Sequence, residues 1–353
     1  MNPKITVLLA VYNGLPYVKE TIESTLNQTY HDFEFLIIDD CSTDGTTECI
    51  FSYNDPRIRL IKNDTNIGQP ASLNKGLLLA RGEYIARLDG DDVNLPCRLE
   101  EQLNFLENRP DISIVCSWER SINSNGKLLR DWKKSIDNYG VFLGEIILGL
   151  CPVWHPSVMY RKNDVLRLGS YEPSYGPAED YHLWSRMAME RLGAYILPKF
   201  HLLQRLHNQR LSIVKLDVQI RATAKAQLNL IKNFSNNTTN TERMAALLRL
   251  EKEHITKNNN KKNLIELSEG INEMLININK KFNLTNTEFK SLKSTIRSRV
   301  GSGFIYAKKF SILPEPIFSV VYYALSPLLL TKLKAILSHV NNKQKELLYR
   351  FYS

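Results

Sequence analysis

Between residues 5 and 116 the chain alternates short, continuously apolar runs with stretches whose apolar residues recur at helical spacing. Ile5–Val11 is apolar and β-branched and stops at Asn13-Gly14 and Pro16. Val18, Ile22 and Leu26 follow every fourth residue, one buried face of a helix. Phe33–Ile38 is a second apolar run, closed by Asp39-Asp40 and a turn at Ser42–Gly45. Further strands are expected at Ile58–Ile61, Tyr84–Leu88 and Ile112–Cys116, with helices over Pro70–Ala80 and Pro96–Asn108 between them. Strands that are apolar throughout, separated by helices, imply a mostly parallel sheet covered on both faces. The fold class is therefore α/β and doubly wound.

Open parallel sheets bind ligands beyond the carboxyl ends of their strands. Tyr12-Asn13 follows the first strand, Asp39-Asp40 the second and Asp89-Gly90-Asp91-Asp92 the fourth. In extended backbone, residues two apart point the same way, so Asp89 and Asp91 can address one ligand together. Mg²⁺ or Mn²⁺ takes one or two carboxylates and completes its shell with water and phosphate oxygens. A plainer reading is that Asp91 or Asp92 caps the helix opening near Asn94-Pro96. Tyr12 equally fits a packed strand-end aromatic, and Asp39 a structural turn.

Several blocks together resemble the family 2 glycosyltransferases, inverting enzymes of the GT-A fold. They are Val7–Gly14, Ser24–Thr29, Ile37–Asp44, Asn66-Ile67-Gly68, Leu73–Gly76, Gly82–Asp92 and Pro177–Trp184, in family order over about 200 residues. The resemblance implies that Tyr12 stacks on the nucleotide base while Asp40 bonds its edge, with Asp39 nearby. It implies that Asp91 holds a divalent metal against the diphosphate and that Asp89 contacts the ribose or the metal shell. Asp180 is implied as the general base. Trp154-His155-Pro156-Ser157 matches a block between donor and acceptor, which makes His155 a diphosphate or acceptor contact, or else a buried structural histidine. Arg205-x-His207 matches a segment that closes over the diphosphate. There His207 is a phosphate or metal contact, and Arg205 a donor contact or a solvated charge.

The chemistry fits those residue types. A departing nucleoside diphosphate carries negative charge that a Lewis acid stabilises, and an attacking hydroxyl benefits from a carboxylate that accepts its proton. One base opposite the leaving group implies a single displacement with inversion. Asp180 also stands where an ordinary helix N-cap would. Gln204–Asn208 departs from the Gln-x-x-Arg-Trp signature of processive synthases, which favours transfer of one sugar at a time. Family grounds favour a UDP-sugar donor, with dTDP and GDP as alternatives. They also favour a glycan acceptor, lipid-linked if the chain works at a membrane, in envelope polysaccharide assembly of the capsule or O-antigen kind.

Other classes fit less well. The loop after the first strand lacks the G-x-G-x-x-G of dinucleotide enzymes and the Gly-rich basic loop of nucleotidyltransferases. A glycan-binding protein without catalysis would have no need of both Asp91 and Asp180.

Charge divides the 353 residues. After residue 213 there are 23 Lys and Arg against 10 Asp and Glu, leaving 23 against 27 before it. The expected organisation is a catalytic domain over 1–213 and a basic, helical region over 214–353, with helices near 216–234, 241–257, 263–282 and 286–299. A basic half suits an anionic membrane surface or nucleic acid, and an acidic catalytic half argues against nucleic acid there. Residues 312–330 are the most apolar stretch, flanked by Lys308-Lys309 and by Lys332 and Lys334, and interrupted by prolines. An interfacial or core segment is expected there rather than a span. Five cysteines without a C-x-x-C pair and an N-terminus without a leader pattern point to a reduced, cytoplasmic setting, with peripheral attachment to the inner membrane as an option.

Overall fold

The computed structural model describes residues 2–210, 214–235, 241, 242, 244, 245, 248 and 261–309. Its first compact unit comprises the residues up to Leu230 together with Leu284–Leu292. Nine strands form one sheet: β1 (Ile5–Val11), β2 (Phe33–Asp39), β3 (Ile58–Lys62), β4 (Tyr84–Leu88), β5 (Val93–Asn94), β6 (Ile112–Asn123), β7 (Leu128–Trp132), β8 (Met159–Arg161) and β9 (Gly193–Leu206). Their spatial order is β3-β2-β1-β4-β8-β6-β9-β5, with β7 alongside β6. The pairs β1–β2, β1–β4, β2–β3 and β6–β9 are parallel. β8 runs antiparallel between β4 and β6, and β5 and β7 also pair antiparallel. The expected α/β sheet is thus mixed, although mostly parallel.

Both faces are covered, as the apolar runs require. Alternate residues of β1 and β2 (Ile5, Val7, Leu9, Phe33, Phe35, Ile37) pack with Val18 and Ile22 of α1 (Val18–Leu26) and with residues of the later helix at Arg98–Asn108. Leu8 and Ile38 point the other way, toward the helix Gln69–Leu79. There Gly76 leaves room that a Cβ would fill, since it would fall 2.3 Å from a Leu8 methyl. With α2 (Thr46–Phe51), those two are α3 (Gln69–Leu79) and α4 (Arg98–Asn108). α5 (Tyr139–Ile147), α6 (Lys162–Arg167) and α7 (Glu179–Met189) complete the first unit's middle.

β5 is two residues long and decides where the late segment goes. It pairs Val93 with Leu203 and Asn94 with Leu202, so the chain just after Asp92 is zipped to β9. The residues after Leu206 are thereby delivered beside the acidic run.

Among the described residues the longer helices that follow are α8 (Leu216–Lys232), α9 (Lys261–Phe282) and α10 (Asn286–Lys309). A reciprocal capping box opens the last of these at Thr285. Thr285 N–H donates to Glu288 Oε2 at 2.8 Å and Glu288 N–H to Thr285 Oγ1 at 3.2 Å. The boundary expected at 213/214 falls inside the first unit, because α8 belongs to it as far as Leu230. Apolar residues of α8 cause this: Ala226 and Leu230 are buried, and Gln227 Nε2 donates to the Ile147 carbonyl at 2.6 Å. The second unit takes Ile231–Asn283 and resumes at Lys293. Its described core includes Phe234, Met274, Ile278 and Phe282. Among the described residues no helix is long and apolar enough to cross a membrane. Residues 312–330, and most of the helix expected over 241–257, lie outside the described residues.

The start of the sheet allows one stability test. A Cβ at Gly82 would lie 2.3 Å from the Thr6 backbone nitrogen, and the Gly82 N–H already donates to Thr6 Oγ1 at 2.8 Å. Gly82→Ala is expected to destabilise the protein by about 1–3 kcal/mol, read as a lower urea midpoint with unchanged slope.

Candidate active site

The acidic run begins where β4 ends. Asp89 Oδ1 takes an ion pair from Arg87 Nη2 at 2.5 Å and a longer hydrogen bond from Gln69 Nε2 at 3.3 Å. Asp91 Oδ2 faces His207 Nε2 at 2.8 Å. Asp92 is fully buried and accepts the Arg205 backbone N–H at 2.9 Å, while its other oxygen has no partner among the described residues. Burial, then the like charges of Asp91 and Asp89, raise its pKa well above the ordinary value. Carboxylate oxygens of all three acids lie within 4.8 Å of one another. The helix-cap reading of Asp91 and Asp92 is overturned, because α4 starts after Cys97 with no side-chain cap.

This donor set fits a hard divalent cation. It offers several oxygens, one of them a buried orphan, and an imidazole at the rim. His207 also packs its ring on Tyr17 at 5.0 Å, which fixes the imidazole over Asp91.

The loops after β1 and β2 are laced together. Asn13, at φ 52°, donates its N–H to Ser42 Oγ at 2.9 Å, and its side-chain oxygen accepts from the Thr43 N–H at 2.9 Å. Gly14 N–H donates to Thr46 Oγ1 at 2.8 Å and Leu15 N–H to Asp44 Oδ2 at 3.0 Å. This holds Tyr12 at the strand end with half of its surface uncovered, 51%. The packed-aromatic reading of Tyr12 fails on that exposure. An uncovered ring on a fixed loop is suited to stacking.

The two acids after β2 are turned inward. Asp39 is wholly buried, with the Ser42 N–H on one oxygen at 2.9 Å and the Thr47 hydroxyl on the other. The expected ligand contact is therefore corrected for Asp39, which braces the turn. Asp40 accepts from Asn63 Nδ2 at 2.8 Å, Ile67 N–H at 2.9 Å and Gly68 N–H at 2.8 Å. It shapes the loop entering α3.

Arg205 requires a second correction. It is 2% exposed, and its guanidinium donates to the Asp91, Asn123 and Ser124 carbonyls and to Glu20 while stacking on Tyr17 at 4.8 Å. Neither a solvated charge nor a free donor to phosphate, it locks the end of β9 under the acidic run. His155 is buried, with Nε2 at 2.9 Å from the Tyr171 hydroxyl. Burial, with help from Arg87, lowers its pKa well below the ordinary value, so it is a neutral, internally bonded histidine. That arrangement is the structural alternative rather than a free phosphate contact.

Asp180 lies in the first turn of α7, whose N-cap residue Ala178 makes no side-chain cap. Asp180 Oδ1 accepts its neighbour Tyr181's N–H at 2.6 Å and Oδ2 meets the Cys151 thiol at 3.4 Å. The simple N-cap reading is thereby set aside. Burial raises the Asp180 pKa above its ordinary value. Glu179 is more deeply buried, and burial followed by the Asp180 charge pushes it up to about 8. The charge of Asp89 also raises Glu179, and that of Arg87 opposes the rise in both Glu179 and Asp180. The donor-side acids and the start of α7 therefore share one electrostatic neighbourhood around Arg87.

Sequence reasoning passed over the buried charges of Arg87 and Glu119, and of the adjacent Glu179 and Asp180 the family pattern chose Asp180. Arg87 sits within an apolar strand, and Glu119 lies past the expected end of the fifth strand at Cys116. Only an ionisable residue at an inward strand position could have signalled them.

The carboxylate cluster after β4 and the Glu179-Asp180 pair at the start of α7 both lie in the field of Arg87, on a mixed, mostly parallel sheet of the GT-A kind. The glycosyl transferase family 2 model matches residues 6–166. A glycosyltransferase of Methanocaldococcus jannaschii is 36% identical over 249 residues, covering 67% of this chain and 83% of that one. An Escherichia coli O-antigen biosynthesis glycosyltransferase, WbnJ, is 33% identical over 190 residues, or 53% of this chain and 72% of that one. Among solved structures, TarS 1–349 of S. aureus in complex with UDP-GlcNAc shares the fold at TM-score 0.54 and 15% identity, over 91% of this chain and 90% of that one. A mannosyltransferase of Pyrobaculum calidifontis in complex with GDP-Man and Mn²⁺ gives TM-score 0.50 and 16% identity, over 92% and 85%. The chain belongs to glycosyltransferase family 2 and is a glycosyltransferase.

Glu119 provides a pH test of the interior. It is 1% exposed, and burial pushes its pKa up to about 8 against the Ser157 hydroxyl and the charges of Arg210 and Arg98. An acid whose folded pKa exceeds its unfolded value holds its proton longer in the fold. Its contribution is intact below the unfolded value near 4.5 and is lost as pH rises to about 8. Glu119→Gln is expected to remove about 2 kcal/mol of the fall in stability between pH 5 and 9, measured by denaturant unfolding at each pH.

Proposed function

We propose that the protein transfers one sugar from a nucleoside-diphosphate donor, a UDP-sugar on family grounds, to a hydroxyl of a glycan acceptor, with inversion. The observation that carries this reading is the pairing of the Asp89–Asp92 carboxylate cluster with Asp180 across Arg87. Tyr12 would stack on the base, inside a wall shaped by Asp39 and Asp40. Asp91 and His207 would hold Mn²⁺ or Mg²⁺, with Asp89 in its outer shell and the Asp92 orphan oxygen beside it. A cation bound there supplies Lewis-acid stabilisation of the diphosphate charge. The mannosyltransferase in complex with GDP-Man and Mn²⁺ supports the same choice of ion.

In the transfer step the acceptor oxygen forms a bond to the anomeric carbon. The bond from that carbon to the diphosphate oxygen breaks, and its electron pair leaves with the nucleotide. The hydroxyl proton passes to the Asp180 carboxylate. A base whose pKa is raised accepts a proton more readily, so long as it is still ionised at the working pH. Assigning Asp180 alone as the base, with Glu179 beside it pushed toward its neutral form, supports one displacement rather than two.

The basic half after residue 213 supports docking on an anionic surface, and with it a lipid-linked acceptor at the inner face of the membrane. Likeness to the E. coli O-antigen biosynthesis glycosyltransferase supports envelope polysaccharide, O-antigen included, as the product class.

Donor hydrolysis and transfer with a panel of nucleotide sugars tests this reading. Asp91→Ala is expected to abolish metal-stimulated turnover, and undiminished activity would sink the metal assignment. Asp180→Asn is expected to bind donor as wild type does while losing about 10²–10⁴-fold in transfer. Full transfer by that variant would remove Asp180 from the base role.

A further inference from the structure

We infer that Arg87 is a positioning residue: it holds the donor-side carboxylate Asp89 by a buried ion pair, and its charge and open guanidinium edge serve the base-bearing start of α7. The inference rests on the glycosyltransferase mechanism proposed above and adds a residue that the mechanism does not itself require.

Arg87 is 2% exposed on β4, two residues before Asp89. Its backbone is held on both sides: the N–H donates to the Val158 carbonyl at 3.0 Å, and the carbonyl accepts Arg98 Nη2 at 2.6 Å. The side chain therefore leaves a rigid strand in a fixed direction. One end of the guanidinium, Nη2, holds Asp89 Oδ1 at 2.5 Å. The other two nitrogens, Nε and Nη1, have no hydrogen-bond partner among the described residues. The Oε2 atom of Glu179, a residue 4% exposed at the start of α7, is likewise without one.

Buried donors and a buried acceptor left open in one neighbourhood are costly unless a water or a polar substrate group joins them. The charge of Arg87 acts on Asp89, Glu179, Asp180 and His155, which come from three separate segments. No cation on the surface would reach so many groups, because water would screen it. Asp180 itself faces Glu179 on its own helix, the Cys151 thiol from the loop after α5, and Arg87 from β4. Arg87 is the only cation among those three. Its charge opposes the rise that burial causes in Asp180, and so favours the carboxylate that accepts the proton.

The test uses the full-length chain carrying Arg87→Lys, Arg87→Met, Asp89→Asn, or Arg87→Met with Asp89→Asn. Arg87→Met is expected to lose about 10²-fold in kcat, as a slightly misplaced base does, with the donor KM changed less than about threefold. The acid limb of its kcat profile is expected to move up by about one pH unit. Arg87→Lys keeps the charge and loses the fork, so its acid limb should stay at the wild-type position while kcat falls. Wild-type kcat with an unmoved limb in Arg87→Met, or identical limbs in the Lys and Met variants, would overturn the inference. If the methionine variant does not fold, an acid limb in Arg87→Lys displaced as far as about one unit would overturn it instead.

Thermal unfolding separates this inference from the proposed function. Wild-type protein that turns over no nucleotide sugar would reject the function. The Arg87 pairing would still be judged by whether the losses in Tm of Arg87→Met and Asp89→Asn are non-additive in the double variant. Additive losses would reject the pairing whatever the activity.

Discussion

Like charges held close together out of water are the constraint around which this cleft is built. Asp89, Asp91 and Asp92 place carboxylates within 4.8 Å of one another, and Asp92 is fully buried. Such an arrangement survives only if some acids are protonated or cations and dipoles stand against them. Both devices are present. Asp92 is shifted toward its neutral form, Arg87 stands against Asp89, His207 faces Asp91, and the Arg205 N–H points at Asp92. Each of these counter-groups comes from β4, β9 or the chain just after β9, so the sheet register is also the charge register.

That dependence explains why the two-residue strand β5 matters more than its length suggests. Pairing Val93 with Leu203 fixes the offset between the acidic run and the end of β9. A slip of one residue would reverse the faces of the slipped strand. It would carry Arg205 away from the Asp91 carbonyl and Glu20, and His207 away from the Asp91 carboxylate. The surface position of Glu20 makes its own contribution to that lock modest, whereas the carbonyl contacts lie in protein.

The first half of the sheet was legible because its strands are apolar at nearly every position. Ile5–Val11 and Tyr84–Leu88 have the expected bounds, and Phe33–Asp39 and Ile58–Lys62 differ by one residue. The later strands carry no such pattern. β8 is three residues long, and β9 includes Pro198 and Lys199 at a shift of register against β6. Helix α5 hides its period behind Gly140 and Gly144 and is apolar nearly all round. Among the candidate site residues, those at strand ends followed by turns, Tyr12, Asp89 and Asp91, stand where their position in the sequence suggested. Asp39 and Arg205 misled for a common reason. Residue type and position mark a site's neighbourhood, and only hydrogen-bond partners separate a residue that touches the ligand from one that supports it. Thr47 and Ser42 take up Asp39, and the Asn123 and Ser124 carbonyls take up Arg205.

Such supporting residues have a mechanistic consequence. A transferring enzyme must stabilise charge that develops only as the glycosidic bond breaks, and groups already oriented do so without rearranging at that moment. Asp39, Asp40, Arg205 and His155 have polar atoms bonded inside the protein and so brace the loops and strand ends they sit on. The atoms left open are of another kind: the exposed Tyr12 ring, the second oxygen of Asp92, and the Glu179 and Arg87 edges deeper in the cleft. A buried polar group without a partner costs free energy in the resting protein. The anionic donor and the cation proposed for this site would supply partners for such groups.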